Sequence, residues 1–368
     1  VQRIVAVDLL RGLAVLGMFA AHVGDAEGPW WSASGWLGVA DGRSAATFAL
    51  LAGVSAALLS GGPRPHVGAR RRHAVVRVLA RALLLWPLGA VMIALGTPVA
   101  VILPTYAVMF ALVSLALGWR RRTLLAVAGL LVVLGPVVWV YARAATATSF
   151  VLGTPQPLDV LVGAHYPAVV WMAYLLVGVA LGRTDLAADG AAPRLALTGL
   201  AAAVVGYGVG ALGSARIAPQ HTVRRALLAV EPHANSAPEV VGNIGVSLLL
   251  LAGCLVVSRY GSRLAAPLAA TGALALTAYC AQLVAIAVLG DGVVWNASNV
   301  TLAAFVLVTL ATTWAWRATL GRGPLERLLH EWSTVVADTL VPAGRRLVGV
   351  PAGTPPPPPP PVVTGAPR

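Results

Sequence analysis

Runs of about 20 apolar residues, the length needed to cross a bilayer core as a helix, follow one another along this chain. The hydrocarbon core offers no water to satisfy backbone N–H and C=O groups, so such runs must close their hydrogen bonds internally as helices. They fall near residues 5–24, 37–60, 74–95, 99–118, 123–143, 164–182, 194–214, 239–258, 266–290 and 299–320. This pattern predicts an all-α, polytopic integral membrane helical bundle of about ten transmembrane helices, spanning residues 1–322. An amphipathic segment, GPLERLLHEWSTVVADTL within 323–350, is expected on the cytoplasmic side along the membrane surface. Residues 351–368 form a proline-rich tail expected to be disordered or polyproline II, passive or able to engage a proline-recognition partner.

Composition fits that class. Only 11% of residues are charged and the mean hydropathy is +0.82, whereas a soluble domain carries about 25% charged residues. The net charge of +13 is not a nucleic-acid signal, because the arginines sit in short loops between apolar runs. Loop 61–73, loop 119–122, Arg183, Arg194, Arg259, Arg263, Arg317 and Arg322 all fall on one side, which the positive-inside rule makes cytoplasmic. Loop 215–238, with Arg216, Arg224 and Arg225, is the main exception. Both termini are then expected in the cytoplasm. Exclusive use of Arg over Lys, with abundant Ala, Gly and Val, suggests a GC-rich bacterial genome and hence a bacterial plasma membrane. Cys254 and Cys280 lie in different spans without a CxxC neighbour, so no metal site and no tightly bound cofactor is expected.

Charges inside a membrane-length run are costly and usually functional. The first run, VAVDLLRGLAVLGMFAAHVG, carries Asp8, Arg11 and His22. At about 100° per residue, the eleven steps from Arg11 to His22 return to within about 20° of the start, about 16 Å further along the axis. The three side chains therefore share a stripe, which either pairs and orients the helix or leads to a proton-transfer residue. Asp41 and Arg43 open a small-residue span and either brace it or line a cavity. Arg77 and Arg81 enter an apolar span at i, i+4, after the loop charges Arg70, Arg71 and Arg72. They either snorkel to headgroups or hold phosphates, which guanidinium geometry suits. His165 and Tyr166 precede Pro167 at the mouth of a span, as part of an interfacial aromatic belt or of an acceptor site. His66, His73, His221, His233 and His330 receive no role.

RIVAVDLLRGLAVLGMFAAH resembles the first helix of the transmembrane acyltransferase superfamily, which includes the acyltransferase-3, heparan-alpha-glucosaminide N-acetyltransferase and YeiB-like families. Its D-x-x-R-G opening matches Asp8, Arg11 and Gly12, and the acyltransferase-3 family places its catalytic His eleven residues after a helix-one Arg. GVADGRSAATFALLAGVS is similar to the V-A-D segment of the heparan branch, and HYPAVVWMAYLLVGVALGR to its Y-P-x-x-x-W segment, which adds Trp171 as a substrate-site candidate. GALALTAYCAQ and GRGPLERLLHEWST resemble the C-terminal signatures of the YeiB-like family. The heparan branch has Asn where His22 stands and a catalytic His in the next outer loop. Loop 23–35 has no His here, so His22 is the candidate base.

The resemblance implies acyl transfer from cytoplasmic acyl-CoA, most simply acetyl-CoA, to a hydroxyl or amine of a cell-envelope glycan or glycolipid. His22, Arg11 and Asp8 would be the catalytic set. Arg77, Arg81, Arg71 and Arg72 would bind the donor, and Asp41, Arg43, His165, Tyr166 and Trp171 the acceptor. Besides the bilayer and the acceptor, a homodimer is an allowed assembly. The rival expectation is a non-enzymatic transporter or lipid-handling protein using the same charged stripe.

Overall fold

The computed structural model describes residues 4–341 apart from 30, 33, 147–156, 219 and 262. The proline-rich tail lies outside the described residues, within which all regular structure is helical. In chain order the helices are α1 (Val5–Val23), α2 (Arg43–Leu59), α3 (Gly68–Ala94), α4 (Leu103–Ala116), α5 (Arg121–Thr146), α6 (Pro157–Val162), α7 (Ala168–Gly182), α8 (Ala191–Ala215), α9 (Thr222–Ala226), α10 (Ala237–Arg259), α11 (Ala266–Ala273), α12 (Ala275–Leu289), α13 (Gly292–Trp295), α14 (Asn299–Thr319) and α15 (Pro324–Leu340). Short 3₁₀ turns cover Gly35–Ala40 and Arg263–Ala265.

Among the described residues, 7 helices are long and apolar enough to cross a membrane, or up to 8 if α11 and α12, bent by 83°, form one broken span. The protein is a multi-pass, all-helical membrane protein. The expected count of ten is slightly higher, and the difference lies in α4 and α7. These have 14 and 15 residues, or about 21 and 22 Å of helix against a core of about 30 Å. A helix apolar on all sides belongs in an interior, and α7 is buried along its whole length except at Val169 and Val177.

Backbones meet closely where small residues face each other, the usual route to tight packing in lipid. A Cβ at Gly53 of α2 would collide with the Leu175 carbonyl of α7, and one at Gly178 with the Leu50 carbonyl. The tightest contact joins α1 to α11. A Cβ at Gly272 would collide with the Asp8 carbonyl, and one at Gly12 with the Leu268 carbonyl.

Just beyond, the chain breaks at Leu274 and restarts as α12. The exposed N–H groups of that new helix end are taken by a carboxylate from α15. Glu326 Oε1 accepts from the Leu276 and Thr277 N–H groups at 2.8 and 3.0 Å, and Oε2 from the Thr277 hydroxyl at 2.6 Å. The two C-terminal signature segments thus meet in space. The rest of α15 docks on α3, with the Trp332 indole N–H on the Ala80 carbonyl at 3.0 Å and Ser333 and Ala337 buried.

Arg183 departs from its expected part as a loop charge. It is 9% exposed and donates to the carbonyls of Ala57, Gly62 and Leu117 and to Ser60 Oγ, at 3.2, 3.0, 2.6 and 2.9 Å. It ties the C-terminal ends of α2 and α4, where carbonyls lack helical partners and favour a cation.

Gly272→Ala and Gly253→Ala separate close approach from helix propensity. At Gly253 nothing lies within 4 Å of an added Cβ, so Ala should stabilise by about 0.5–1 kcal/mol. At Gly272 the same change should destabilise by about 1–3 kcal/mol through overpacking. Thermal unfolding of the detergent-purified variants reads the difference.

Candidate active site

His22 stands in the last turn of α1, which Gly24 ends. Its Nδ1–H donates to Gln282 Oε1 of α12 at 3.2 Å. That bond fixes the tautomer and leaves Nε2 as the acceptor of the ring. His22 lines a cavity of about 220 Å³ together with Asp41, Ser44, His165, Tyr166 and His233. The cavity lies at the end of the bundle opposite the arginine-rich loops.

Asp41 terminates the 3₁₀ turn Gly35–Ala40. Gly42 follows with φ 67, a left-handed turn that reverses the chain into α2. Asp41 Oδ1 lies 3.5 Å from His233 Nε2, within ion-pair distance. His233 has φ 61 and Asn235 φ 53, rare for residues other than glycine. Both backbone N–H groups donate to Glu239, at 2.9 Å for His233 and 2.6 Å for Asn235. Glu239 is held in turn by its own N–H donating to the Ser236 N-cap at 3.1 Å.

The Asn235 side chain accepts from the Trp171 indole N–H at 2.8 Å and donates to the carbonyls of Ala164 and His233 at 2.9 and 2.8 Å. His233 Nδ1–H donates to the His165 carbonyl at 3.2 Å. Its ring stacks on Trp171, with centroids 6.1 Å apart, and meets Tyr166 edge-on at 5.2 Å.

Burial pushes the His233 imidazole down, but its bond to Asp41, the Asp41 and Glu239 charges and the His165 carbonyl outweigh this, and its pKa lies above the ordinary 6.5. His165 is held below that value by burial and then by the His233 charge. Burial, with the Asp41 charge, raises the Tyr166 phenol, which stays protonated.

The structure therefore brings His22, Asp41, His165 and Tyr166 together, with Trp171 supporting the floor through Asn235. Arg43 sits beside them, its Nε donating to the Tyr207 hydroxyl at 2.9 Å and its cation 4.9 Å from that ring. Asp8 and Arg11 are elsewhere. Arg11 donates to Asp8 Oδ1 at 3.1 Å and to Ser55 Oγ, about 16 Å along α1 from His22.

Arg77 and Arg81 lie at the opposite end, donating to His330 Nδ1 at 3.2 Å and to Ser333 Oγ at 3.5 Å. Arg71 lays its guanidinium against Gly118, and Arg72 is exposed. His233 and Gln282 were missed. A Ser-x-x-Glu cap just after HAN, and a lone Gln within an apolar span, are the signals that mark them. Among the described residues no group of three His, Cys, Asp or Glu side chains could hold a metal.

Residues 3–213 match the family described as heparan-alpha-glucosaminide N-acetyltransferase, catalytic. The chain belongs to that family. Residues 181–335 match a second one, described as Protein of unknown function (DUF418), in keeping with the YeiB-like resemblance. No curated protein matches the chain. His22, Asp41, His165, Tyr166 and Trp171 fall in the acetyltransferase match, whereas His233, Glu239, Gln282 and Glu326 fall in the second. The site is assembled from both.

A histidine with a raised pKa stabilises most below its unfolded value and loses that contribution as pH rises through its folded value. His233→Gln should thus cost roughly 1 kcal/mol near pH 6 and less near pH 9. Equal losses in melting temperature at both pH values would show that the charged form is not what Asp41 holds.

Proposed function

We propose that the protein transfers an acetyl group from acetyl-CoA, bound at the arginine-rich end, to a hydroxyl or amine of an envelope glycan or glycolipid bound in the His22 cavity. The observation that carries this is the convergence of His22, with its tautomer set by Gln282, on one cavity with Asp41, His233 and Tyr166, in a chain of an acetyltransferase family. His22 Nε2 takes the proton of the acceptor O–H or N–H as that atom attacks the thioester carbonyl. The tetrahedral centre then collapses, the C–S bond breaks, and the thiolate of CoA leaves and takes up a proton. The protonated Tyr166 phenol is available to donate to the developing oxyanion, and the His233 charge lies beside it.

Support for the donor end comes from its cations. Arg81 lies within electrostatic reach of Arg77, Arg11 and Arg322. Arg77 Nε is buried without a hydrogen-bond partner, a donor left for an anion such as a phosphate. Arg77 and Arg81 would hold those phosphates. With the arginine-rich loops cytoplasmic, as the positive-inside rule has it, the acetyl group would cross the bilayer of a bacterial plasma membrane.

His22→Ala should lower acetyl transfer by about 10²–10⁴-fold, the usual contribution of a positioned base, while elution from a sizing column stays unchanged and melting temperature falls only by the loss of the Gln282 bond. Labelled acetyl-CoA added to membranes with and without the protein, followed by mass spectrometry of glycans and lipids, measures it. Full activity in His22→Ala would overturn the assignment.

A further inference from the structure

Beside the His22 cavity, and sharing Ala40 and Ser44 with it, an apolar groove of about 780 Å³ runs along α1 between α2, α10 and α14. Its walls include Leu13 of α1, Leu250 of α10 and Ala303 of α14, of which Leu13 and Leu250 are 39% and 37% exposed. On α1 it extends from Leu10 to Ala20, about 15 Å of helix within the membrane span. Gly17 forms the partition, since a Cβ there would collide with Ser44 Oγ. One face of this turn of α1 thus serves the groove and the next serves the cavity that holds His22.

The end of the groove nearest the cavity is charged. Arg43 lines it and bonds only neutral groups, the Tyr207 hydroxyl at 2.9 Å and the Val39 carbonyl at 3.4 Å. Among the described residues no carboxylate lies within 4.0 Å of its guanidinium. A cation with no carboxylate in ion-pair contact, at the head of a membrane-depth apolar trough, is complementary to one class of molecule, an anionic lipid whose phosphate meets the arginine and whose chain fills the trough.

We infer that this groove seats the hydrocarbon chain of a phosphate-bearing lipid acceptor, with Arg43 on its phosphate and its headgroup hydroxyl or amine delivered over Ala40 and Ser44 to His22. The inference rests on the acetyltransferase assignment and narrows it, from glycan or glycolipid to a lipid-linked, anionic acceptor. A seat in the groove also confines the headgroup to the one cavity it adjoins, so membrane partitioning and orientation are both supplied before the donor arrives.

The test uses the full chain in nanodiscs of phosphatidylcholine doped with dioleoyl phosphatidylglycerol, with retained lipid read by native mass spectrometry. The wild type should retain the anionic lipid selectively. Arg43→Gln should lose about tenfold in that selectivity, the loss of one charge-assisted contact. Ala303→Trp, at an exposed position that fills the groove, should lose the lipid of either class. His22→Ala should retain it, because seating does not require chemistry.

In parallel, membranes given labelled acetyl-CoA should carry the label in the organic-extractable lipid fraction. Label confined to water-soluble product, or retention indifferent to both groove variants, would overturn the lipid acceptor while leaving acetyl transfer intact. Selective retention with no label transferred to any fraction would instead overturn the acetyltransferase assignment, and with it the acceptor role of the groove, leaving a lipid seat alone.

Discussion

The close contact of α1 with α11 at Gly12 and Gly272 lies directly before the helix break from which α12 carries Gln282 to the site. With no side chain on either residue, the backbones approach until Gly272 abuts the Asp8 carbonyl. Two residues past this contact the chain turns by 83° at Leu274. A break inside a membrane bundle exposes N–H groups that lipid cannot satisfy. Glu326 supplies the acceptor, and its charge suits the positive end of α12. The redirected α12 then carries Gln282 to His22. The partner of the imidazole is therefore carried by a helix whose start is capped by a carboxylate near the other end of the fold.

The second half of the site is built on strain that is compensated locally. Two non-glycine residues in left-handed conformations cost of order 1–3 kcal/mol each. Both deliver their N–H groups to one carboxylate, and bonds to a charged acceptor are the strong kind. The resulting loop presents His233 to Asp41 with its ring clamped by Trp171 and Tyr166. Trp171, which the Y-P-x-x-x-W resemblance marked for the substrate, meets the cavity indirectly, through Asn235 and through its ring contacts with His233 and Tyr166.

What the sequence made legible follows from the range over which each signal acts. Apolar run length is local, so the membrane class and most spans could be read directly. α4 and α7 fall short as helices because their predicted runs take in neighbouring turns, and α7 is shielded by protein along its length. The spacing from Arg11 to His22 is local to one helix, so it could be read directly. The partners of those residues are not local: Gln282 is 260 positions from His22, and Ser333 is 252 from Arg81. His233 carried no mark of its own, since its role arises from a loop held by Glu239 and packed against a segment nearly two hundred residues earlier. Arg183 looked like any inside-loop arginine because capping carbonyls leave no trace in the side-chain pattern.

The division of charge along α1 gives a physical reason for placing Asp8 and Arg11 away from the His22 cavity. A lone guanidinium at that depth would carry a large desolvation penalty, and its field would reach the imidazole through poorly screening surroundings. Paired with Asp8 and bonded to Ser55 on α2, it is formally neutral as a unit. The pair supplies a polar level between the arginine-rich end and the His22 cavity. In the proposed transfer, anion affinity would then be concentrated at Arg77 and Arg81, and base chemistry at His22. A single lysine-like charge midway would blur that separation by favouring phosphates there and disfavouring the imidazolium that the proposed transfer would form. The D-x-x-R-G motif thus combines two features in one turn of helix: a paired polar step, and the glycine against which the α11 backbone packs.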